Sequence, residues 1–64
     1  MKVNGQTIRL ESPMTVSDYL AVQQYQPGRV AVELNGVIVR RDRFSDTLLD
    51  DESEMEIVQF MGGG

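Results

Sequence analysis

Two apolar runs joined by an Asn-Gly pair give this chain its clearest structural signal: Val30-Ala31-Val32-Glu33-Leu34-Asn35-Gly36-Val37-Ile38-Val39. Asn-Gly between such runs is the strongest short-range indication of a β-hairpin, because a type I′ turn needs a positive φ at both of its central residues. The stretch therefore predicts two antiparallel strands that turn at Asn35 and Gly36.

The same turn chemistry occurs near the start of the sequence, where Asn4-Gly5 separates Met1-Lys2-Val3 from Thr7-Ile8-Arg9-Leu10. Apolar residues alternate along both arms, so each arm presents one apolar face. We predict a first β-hairpin here. Shared turn chemistry explains the likeness of the two hairpins better than an internal repeat, since two copies do not tile the chain.

Between the hairpins the sequence predicts one helix, over residues 16–25. Thr15 offers a hydroxyl as N-cap and Asp18 supplies an acid three residues later, a variant of the capping box. Pro27-Gly28 ends the element, since proline cannot continue a helix and glycine suits its exit. The residues at helical spacing, which form one stripe toward the core, are Val16, Tyr19, Leu20 and Gln23.

The remaining segments predict connections, one short helical turn and a last strand. Residues 11–14 are a connection, Phe44 fills the core from a loop, and residues 45–49 form the short helical turn. The acidic segment 50–54 lacks the alternating ligands and the turn glycine of a calcium loop, so we interpret it as a solvated turn and predict no metal site. Residues 55–60 form the final strand.

The predicted order is hairpin, helix, hairpin, short turn and strand. One helix and five strands make two layers when the helix packs on a single face of one sheet. The last strand has no hairpin partner, so we expect it to pair in parallel with the first strand. This is an α+β fold, the β-grasp of ubiquitin-like domains, with a mixed five-stranded sheet. A ferredoxin-like fold would need two crossover helices.

Composition limits the chemistry that this chain can perform. It contains no Cys and no His, so it has no thiolate nucleophile and no imidazole base, and we predict that it is not an enzyme. Its net charge of −4 argues against a nucleic-acid partner. No apolar run approaches the ~20 residues of a membrane span, and no signal peptide begins the sequence. We expect a soluble cytoplasmic protein.

The sequence ends in Met61-Gly62-Gly63-Gly64. Glycine has no side chain and keeps the backbone loose. We therefore divide the chain into a β-grasp domain, residues 1–60, and a flexible arm, residues 61–64, with a carboxylate at its tip. A frayed terminus is the simpler alternative.

The end of the final strand predicts a docking surface for partner proteins. Met55 and Ile57 share one face of that strand, whereas Val58 and Phe60 lie on the opposite face, away from the helix. Two large apolar groups on an outer face beside a mobile arm are typical of a docking surface. Ordinary exposed apolar area is the alternative.

The whole chain resembles the thiamin-biosynthesis sulfur carrier proteins, the ThiS family. The resemblance rests on the short length, the hairpin 34–39, the acidic turn into Glu56-Ile57-Val58-Gln59-Phe60, and the ending Gly62-Gly63-Gly64. The resemblance implies that Gly63 and Gly64 match the terminal glycine pair of the family, with Gly64 the acceptor and Gly62 a spacer in the arm. It also implies that Phe60 and Met61 occupy apolar positions that meet partners.

The resemblance also implies a mechanism. A terminal carboxyl group has a pKa of about 3.3–3.7, so it is ionised at neutral pH and is a poor electrophile. In the family, an adenylating (E1-like) enzyme activates it with ATP and Mg²⁺. A sulfur donor, commonly a protein persulfide, then yields a thiocarboxylate, whose sulfur passes to thiazole synthase for the thiazole ring of thiamin. The carrier itself binds no cofactor.

Three other functions remain open at this point. The molybdopterin-synthase small subunit has the same chemistry, but it is usually longer and has a proline near its last glycines, and this chain has none after Pro27. A ubiquitin-like modifier would use the same arm to form isopeptide bonds with lysines. A plain β-grasp interaction domain with an idle tail is the third.

Overall fold

The structure, a computed structural model, describes residues 1–60. The predicted arm, residues 61–64, lies outside the described residues, so the domain division at residue 60 stays a prediction. The elements, in chain order, are β1 (Lys2–Val3), β2 (Gln6–Thr7), β3 (Met14–Thr15), α1 (Val16–Val22), β4 (Val30–Leu34), β5 (Val37–Val39), β6 (Leu48–Leu49) and β7 (Glu54–Gln59). Short 3₁₀ helices lie at Pro27–Arg29 and Arg41–Arg43.

Five of the strands form one mixed sheet in the order β2-β1-β7-β4-β5. β7 pairs in parallel with β1, with Val3 beside Met55, and antiparallel with β4, with Val32 beside Ile57. The predicted parallel pairing of the first and last strands is confirmed. With α1 packed on one face of this sheet, the predicted β-grasp fold is confirmed as well.

Both Asn-Gly pairs form the turns that the sequence predicts. The φ angle is 51° at Asn4 and at Asn35, and 83° at Gly5 and at Gly36. Two successive positive φ angles are what a type I′ turn requires. A Cβ at either glycine would be strained by this backbone conformation although nothing lies within 4 Å of its position.

The core lies between α1 and the inner face of the sheet. Tyr19 is 5% exposed and Phe44 is 3% exposed, which confirms both predicted core positions. Leu49 on β6 is fully buried beside them. The complete set of buried apolar residues is Met1, Val3, Val16, Tyr19, Leu20, Val30, Val32, Phe44, Leu49, Met55 and Ile57.

The predicted start of the helix is confirmed, and its predicted end is wrong. Thr15 Oγ1 accepts a hydrogen bond from Asp18 N at 3.0 Å, which forms the capping box. However, α1 ends at Val22 rather than at residue 25. Gln24 has a φ of 65°, and Tyr25 N donates to Leu20 O at 2.8 Å, the six-to-one bond of a Schellman motif.

Because α1 ends early, the predicted core stripe is wrong at its last residue, Gln23. Gln23 is the C-cap, where it is exposed and does not continue the stripe of Val16, Tyr19 and Leu20. Tyr25, which follows the left-handed residue, packs against the core instead. A hydrophobic contact just beyond the cap commonly accompanies this motif.

A second, two-stranded sheet was not predicted. Leu48–Leu49 is a strand rather than part of a helical turn, and it pairs antiparallel with Met14–Thr15, which joins the end of the predicted connection to the helix N-cap. The helical turn in this region comes earlier, at Arg41–Arg43. The segment before β6 also caps α1, because Thr47 O accepts from Val16 N at 2.9 Å and Phe44 O from Ser17 N at 3.0 Å. These bonds satisfy N–H groups that a helix start leaves without partners.

In the part of the chain that the structure describes, no helix is long and apolar enough to cross a membrane.

Candidate functional site

The candidate site is built on β7, a central strand of the sheet. Successive side chains of a strand point to opposite faces. Met55 and Ile57 are buried, at 1% and 6% exposure, whereas Val58 and Phe60 are 58% and 55% exposed. The predicted separation of an inner and an outer face is thus confirmed. The docking role of Val58 and Phe60 stays a prediction, and Met61, Gly62, Gly63 and Gly64 lie outside the described residues.

The backbone at the end of β7 is fixed to its neighbour. Phe60 N donates to Arg29 O at 2.8 Å, which continues the ladder between β7 and β4 by one more pair. The last described residue therefore lies at the end of a central strand and not on a loose edge. Whatever follows Phe60 starts from a defined position.

The side-chain amides of both turn asparagines also hold β7. Asn4 Oδ1 accepts from Ile57 N at 2.7 Å, and Asn4 Nδ2 donates to Ile57 O at 3.2 Å. On the other side of the strand, Asn35 Oδ1 accepts from Glu54 N at 2.9 Å. Each amide thus replaces backbone partners where the neighbouring strand ends.

Sequence reasoning assigned these asparagines to turns alone. A signal for the second role was present: Asp-Gly also suits a type I′ turn, but of the two side chains only the Asn amide both donates and accepts hydrogen bonds at neutral pH. Asn4 uses both properties, because its amide oxygen accepts a hydrogen bond from Ile57 N and its amide nitrogen donates one to Ile57 O.

Two residues from neighbouring strands join the predicted docking residues on the outer face. Ala31 lies opposite Val58, and Ile38, which is 73% exposed, lies opposite Glu33. A shallow cavity of about 110 Å³ opens between β5, β4 and β7 at this point. We call the apolar part of this face the docking patch; it consists of Ala31, Ile38, Val58 and Phe60.

Ala31 and Ile38 were missed as site residues at the level of sequence. Their neighbours across the sheet depend on how β4 pairs with β7, which is a long-range register. The turn at Asn35 and Gly36 does fix the pairing of Glu33 with Ile38. The exposure of Ile38 could therefore have been predicted from the sequence.

The basic segment 40–43 and the acidic turn 50–54, which we interpreted as solvated, make local contacts. Arg40 lies 3.6 Å from Asp42, and Arg43 lies 3.6 Å from Asp46, all four side chains being well exposed. In the acidic turn, Asp50 Oδ1 accepts from Glu52 N at 2.9 Å, which shapes the turn. Within residues 1–60 no group of three acidic side chains is arranged to hold a metal ion.

Comparison with known proteins gives this geometry its context. The model of the ThiS family matches residues 1–64. The sulfur carrier protein ThiS of Bacillus subtilis is 34% identical over 65 residues, covering 100% of this chain and 98% of that protein. A thiazole synthase of Magnetococcus marinus is 32% identical over 62 residues, covering 97% of this chain but 19% of that enzyme.

A solved structure shows the same fold. The crystal structure of the thiamine biosynthesis protein ThiS from Geobacter metallireducens superposes with a TM-score of 0.82 at 33% sequence identity, covering 98% of this chain and 96% of that chain. The likeness extends over the entire domain and agrees with the family match in sequence. The chain belongs to the ThiS family.

Proposed function

We propose that this protein is the sulfur carrier of a thiamin-biosynthesis pathway and that Gly64 is its sulfur acceptor. The observation that carries the proposal is the family match over residues 1–64, which includes the terminal glycines. The Bacillus subtilis relative, matched over nearly its whole length, is named a sulfur carrier. The protein acts as a co-substrate of partner enzymes and not as an enzyme itself.

The proposed chemistry starts with activation of the Gly64 carboxylate. In an adenylating partner, which binds ATP and Mg²⁺, a carboxylate oxygen attacks the α-phosphorus of ATP and pyrophosphate leaves. The resulting acyl-adenylate has AMP as a good leaving group. We propose that the protein acts in the cytoplasm, where ATP is available for this step.

Sulfur then replaces AMP at the acyl carbon. The terminal sulfur of a protein persulfide attacks the carbonyl carbon and AMP leaves, which gives an acyl disulfide. A second thiol cleaves the sulfur–sulfur bond by exchange, so that a thiocarboxylate remains on Gly64 and a disulfide forms on the donor side. Thiazole synthase is the proposed acceptor of this sulfur.

The domain contributes position and recognition to this chemistry. The hydrogen bond from Phe60 N to Arg29 O fixes the point from which the arm starts. Residues 61–64 span at most about 14 Å when fully extended, which is enough to enter a partner's active site. The docking patch lies beside that starting point, so a partner that covers it receives the arm in a defined direction.

The Magnetococcus marinus thiazole synthase supports the choice of final partner. A segment of that enzyme corresponds to nearly this whole chain and makes up 19% of its length. A carrier-like domain joined to a thiazole synthase is expected when the two act together. The net charge of −4 agrees with partners that are neither nucleic acid nor an anionic membrane.

Intact-mass spectrometry tests the proposal. The protein is incubated with the adenylating enzyme of the same organism, ATP, Mg²⁺ and a persulfide donor. We expect its mass to increase by the difference between one sulfur and one oxygen atom. A variant that lacks Gly64 is the matched control and should fold normally without gaining sulfur.

Other outcomes would overturn the proposal. A ladder of higher masses on a gel would assign the protein to ubiquitin-like modifiers. Rescue of a strain deficient in molybdopterin synthesis, without rescue of a thiamin auxotroph, would assign it to the molybdopterin pathway. If the mass of the protein is unchanged in every condition, a plain β-grasp interaction domain is the function that remains.

A further inference from the structure

Every asparagine in this chain is followed by glycine, in the dipeptides Asn4-Gly5 and Asn35-Gly36. Asn-Gly is the dipeptide most prone to spontaneous deamidation, because glycine has no side chain that would shield its backbone nitrogen from the asparagine side chain. Both glycines are open, since among residues 1–60 nothing lies within 4 Å of the position of an added Cβ. Each dipeptide is therefore a chemical candidate for modification.

The reaction at such a dipeptide needs only water as a co-reactant. The backbone nitrogen of the glycine loses its proton to water or hydroxide and attacks Cγ of the asparagine, so that a carbon–nitrogen bond forms and closes a succinimide ring. The side-chain carbon–nitrogen bond breaks, and the amide nitrogen takes up a proton and leaves as ammonia. Water then adds to either carbonyl group of the ring and opens it to aspartate or isoaspartate. The chain gains water and loses ammonia, and nothing is oxidised or reduced.

The folded turns oppose ring closure at both dipeptides. The φ angles, 51° at each asparagine and 83° at the glycine that follows it, are those of type I′ turns. Ring closure requires the peptide bond after the asparagine to rotate until its nitrogen faces Cγ, and the type I′ conformation does not place it there. The reaction therefore occurs in the fraction of molecules whose turn is locally open, so the free energy of this local opening determines the rate.

The side chains of the two asparagines are held unequally. Asn4 makes two part-buried hydrogen bonds, one from Ile57 N to its Oδ1 at 2.7 Å and one from its Nδ2 to Ile57 O at 3.2 Å. Within the described residues Asn35 makes one exposed side-chain hydrogen bond, from Glu54 N to its Oδ1 at 2.9 Å. In Asn4 the additional bond is made by the nitrogen that has to leave. One more hydrogen bond lowers the population of the open turn by about fivefold.

The two turns share their electrostatic surroundings. Gly5 and Gly36 line the same cavity of about 420 Å³ at one end of the sheet. The charged side chains around this cavity are one cation and three carboxylates: Lys2, Glu33, Glu54 and Glu56. Nearby negative charges disfavour loss of a proton from the glycine nitrogen, and they act on both turns. The difference in hydrogen bonding, and not the charge, therefore distinguishes the two sites.

We propose that Asn35-Gly36 is a site of spontaneous deamidation in the folded protein and that the hydrogen bonds of Asn4 protect Asn4-Gly5. The product adds a carboxylate to the cavity and lowers the net charge by one unit from −4. Asn35 contacts Glu54, and Phe60 lies six residues further along the chain, so the modified site is about 20 Å from the start of the predicted arm. The modification therefore leaves that starting point unchanged.

Peptide mapping of the incubated protein tests the proposal. The purified chain is kept folded at mildly alkaline pH in water labelled with heavy oxygen and is then digested with trypsin in ordinary water, so that only deamidation before digestion incorporates the label. Cleavage at lysine and arginine puts the two asparagines on separate peptides, residues 3–9 and 30–40. We expect peptide 30–40 to be converted to aspartate and isoaspartate at least about fivefold faster than peptide 3–9.

The same chain unfolded in concentrated urea is the matched control. Neither asparagine then has its hydrogen bonds to β7, so the two peptides should be converted at similar rates. A rate difference that is present in the folded protein and absent in urea assigns the protection of Asn4 to the fold and not to its neighbours in sequence. Digested Asn35→Asp supplies the reference peptide that separates the aspartate product from the isoaspartate product.

Two results would overturn the proposal. The first is conversion of peptide 3–9 in the folded protein that is as fast as conversion of peptide 30–40, which would mean that the reaction requires global unfolding. The second is a folded protein in which peptide 30–40 stays unmodified for the time in which the unfolded chain is fully converted. Both measurements use this chain alone, so their outcome is independent of whether the protein accepts sulfur.

Discussion

The two faces of β7 differ in what their residues do for the protein. On the inner face, Met55 and Ile57 are buried against α1 and its neighbours. On the outer face, Glu56 and Val58 are exposed and contribute little to the core. Because the two sets alternate residue by residue, neighbouring substitutions should affect stability and partner binding separately.

The largest effect is expected from the inner face. Met55→Ala removes a side chain that is 1% exposed and should lower the free energy of unfolding by about 2–5 kcal/mol. A core of this size rarely supplies more than about 3–5 kcal/mol, so the variant should be largely unfolded. Urea denaturation followed by circular dichroism measures this. Val58→Ala is the outer-face control and should lower the free energy of unfolding by less than about 1 kcal/mol. Equal losses in both variants would contradict the different roles of the two faces of β7.

The outer face should show the opposite behaviour. Phe60→Asp places a charge in the docking patch and should weaken binding to the adenylating partner by about 2 kcal/mol, as truncation of a hot-spot aromatic does. Its unfolding curve should stay close to that of the unaltered protein, because the side chain is 55% exposed. Titration calorimetry beside thermal denaturation checks both. Loss of the fold would mean that Phe60 belongs to the core.

Loss of the hydrogen bonds between the Asn4 side chain and β7 should have an intermediate effect on stability. Asn4→Ala removes two hydrogen bonds to Ile57 and leaves partly buried backbone groups without partners, so we expect a loss of about 1–3 kcal/mol. Asn4→Asp keeps the acceptor for Ile57 N and still suits the turn, so its loss should be smaller. Chemical denaturation at neutral pH ranks the two variants. An equal loss would contradict a contribution from the acceptor oxygen and the turn, and would assign the effect to the Asn4 Nδ2 donor, which both variants lack.

The smallest effect concerns the helix that covers the inner face. Burial, and next the neighbouring Tyr25, raise the pKa of Tyr19 above 10.0. The folded state thus holds the phenol proton more tightly than the unfolded state does. This contribution is complete below about pH 10 and is lost as the pH rises through the folded-state pKa. Denaturation between pH 9 and 11 should show falling stability, and the fall should be less steep in Tyr19→Phe; identical slopes would contradict this assignment.

Local chemistry explains which parts of the fold could be predicted from the sequence. The two Asn-Gly turns and the capping box of Thr15 and Asp18 each depend on residues within three or four positions of one another. The pairing of β7 with β1 followed from topology, because the last strand had no hairpin partner.

The errors arose where a local signal was absent or misleading. Gln24 ends the helix at a φ of 65°, a conformation that favours glycine, while the conspicuous Pro27-Gly28 lies beyond that end. Leu48–Leu49 is a strand only because Met14–Thr15 lies beside it, which short-range patterns do not reveal. In the site, alternation predicted the exposure of Val58, whereas the place of Ala31 required the register between β4 and β7.

Fragment mass spectrometry of the reacted protein tests the central claim most directly. After incubation with the adenylating enzyme, ATP, Mg²⁺ and a persulfide donor, the protein is digested and its C-terminal peptide is sequenced in the gas phase. We predict one sulfur in place of one oxygen, located on Gly64 and on no other residue. Sulfur on an internal residue, or a C-terminal peptide that is adenylated but never gains sulfur, would contradict the assignment of this chain as a sulfur carrier.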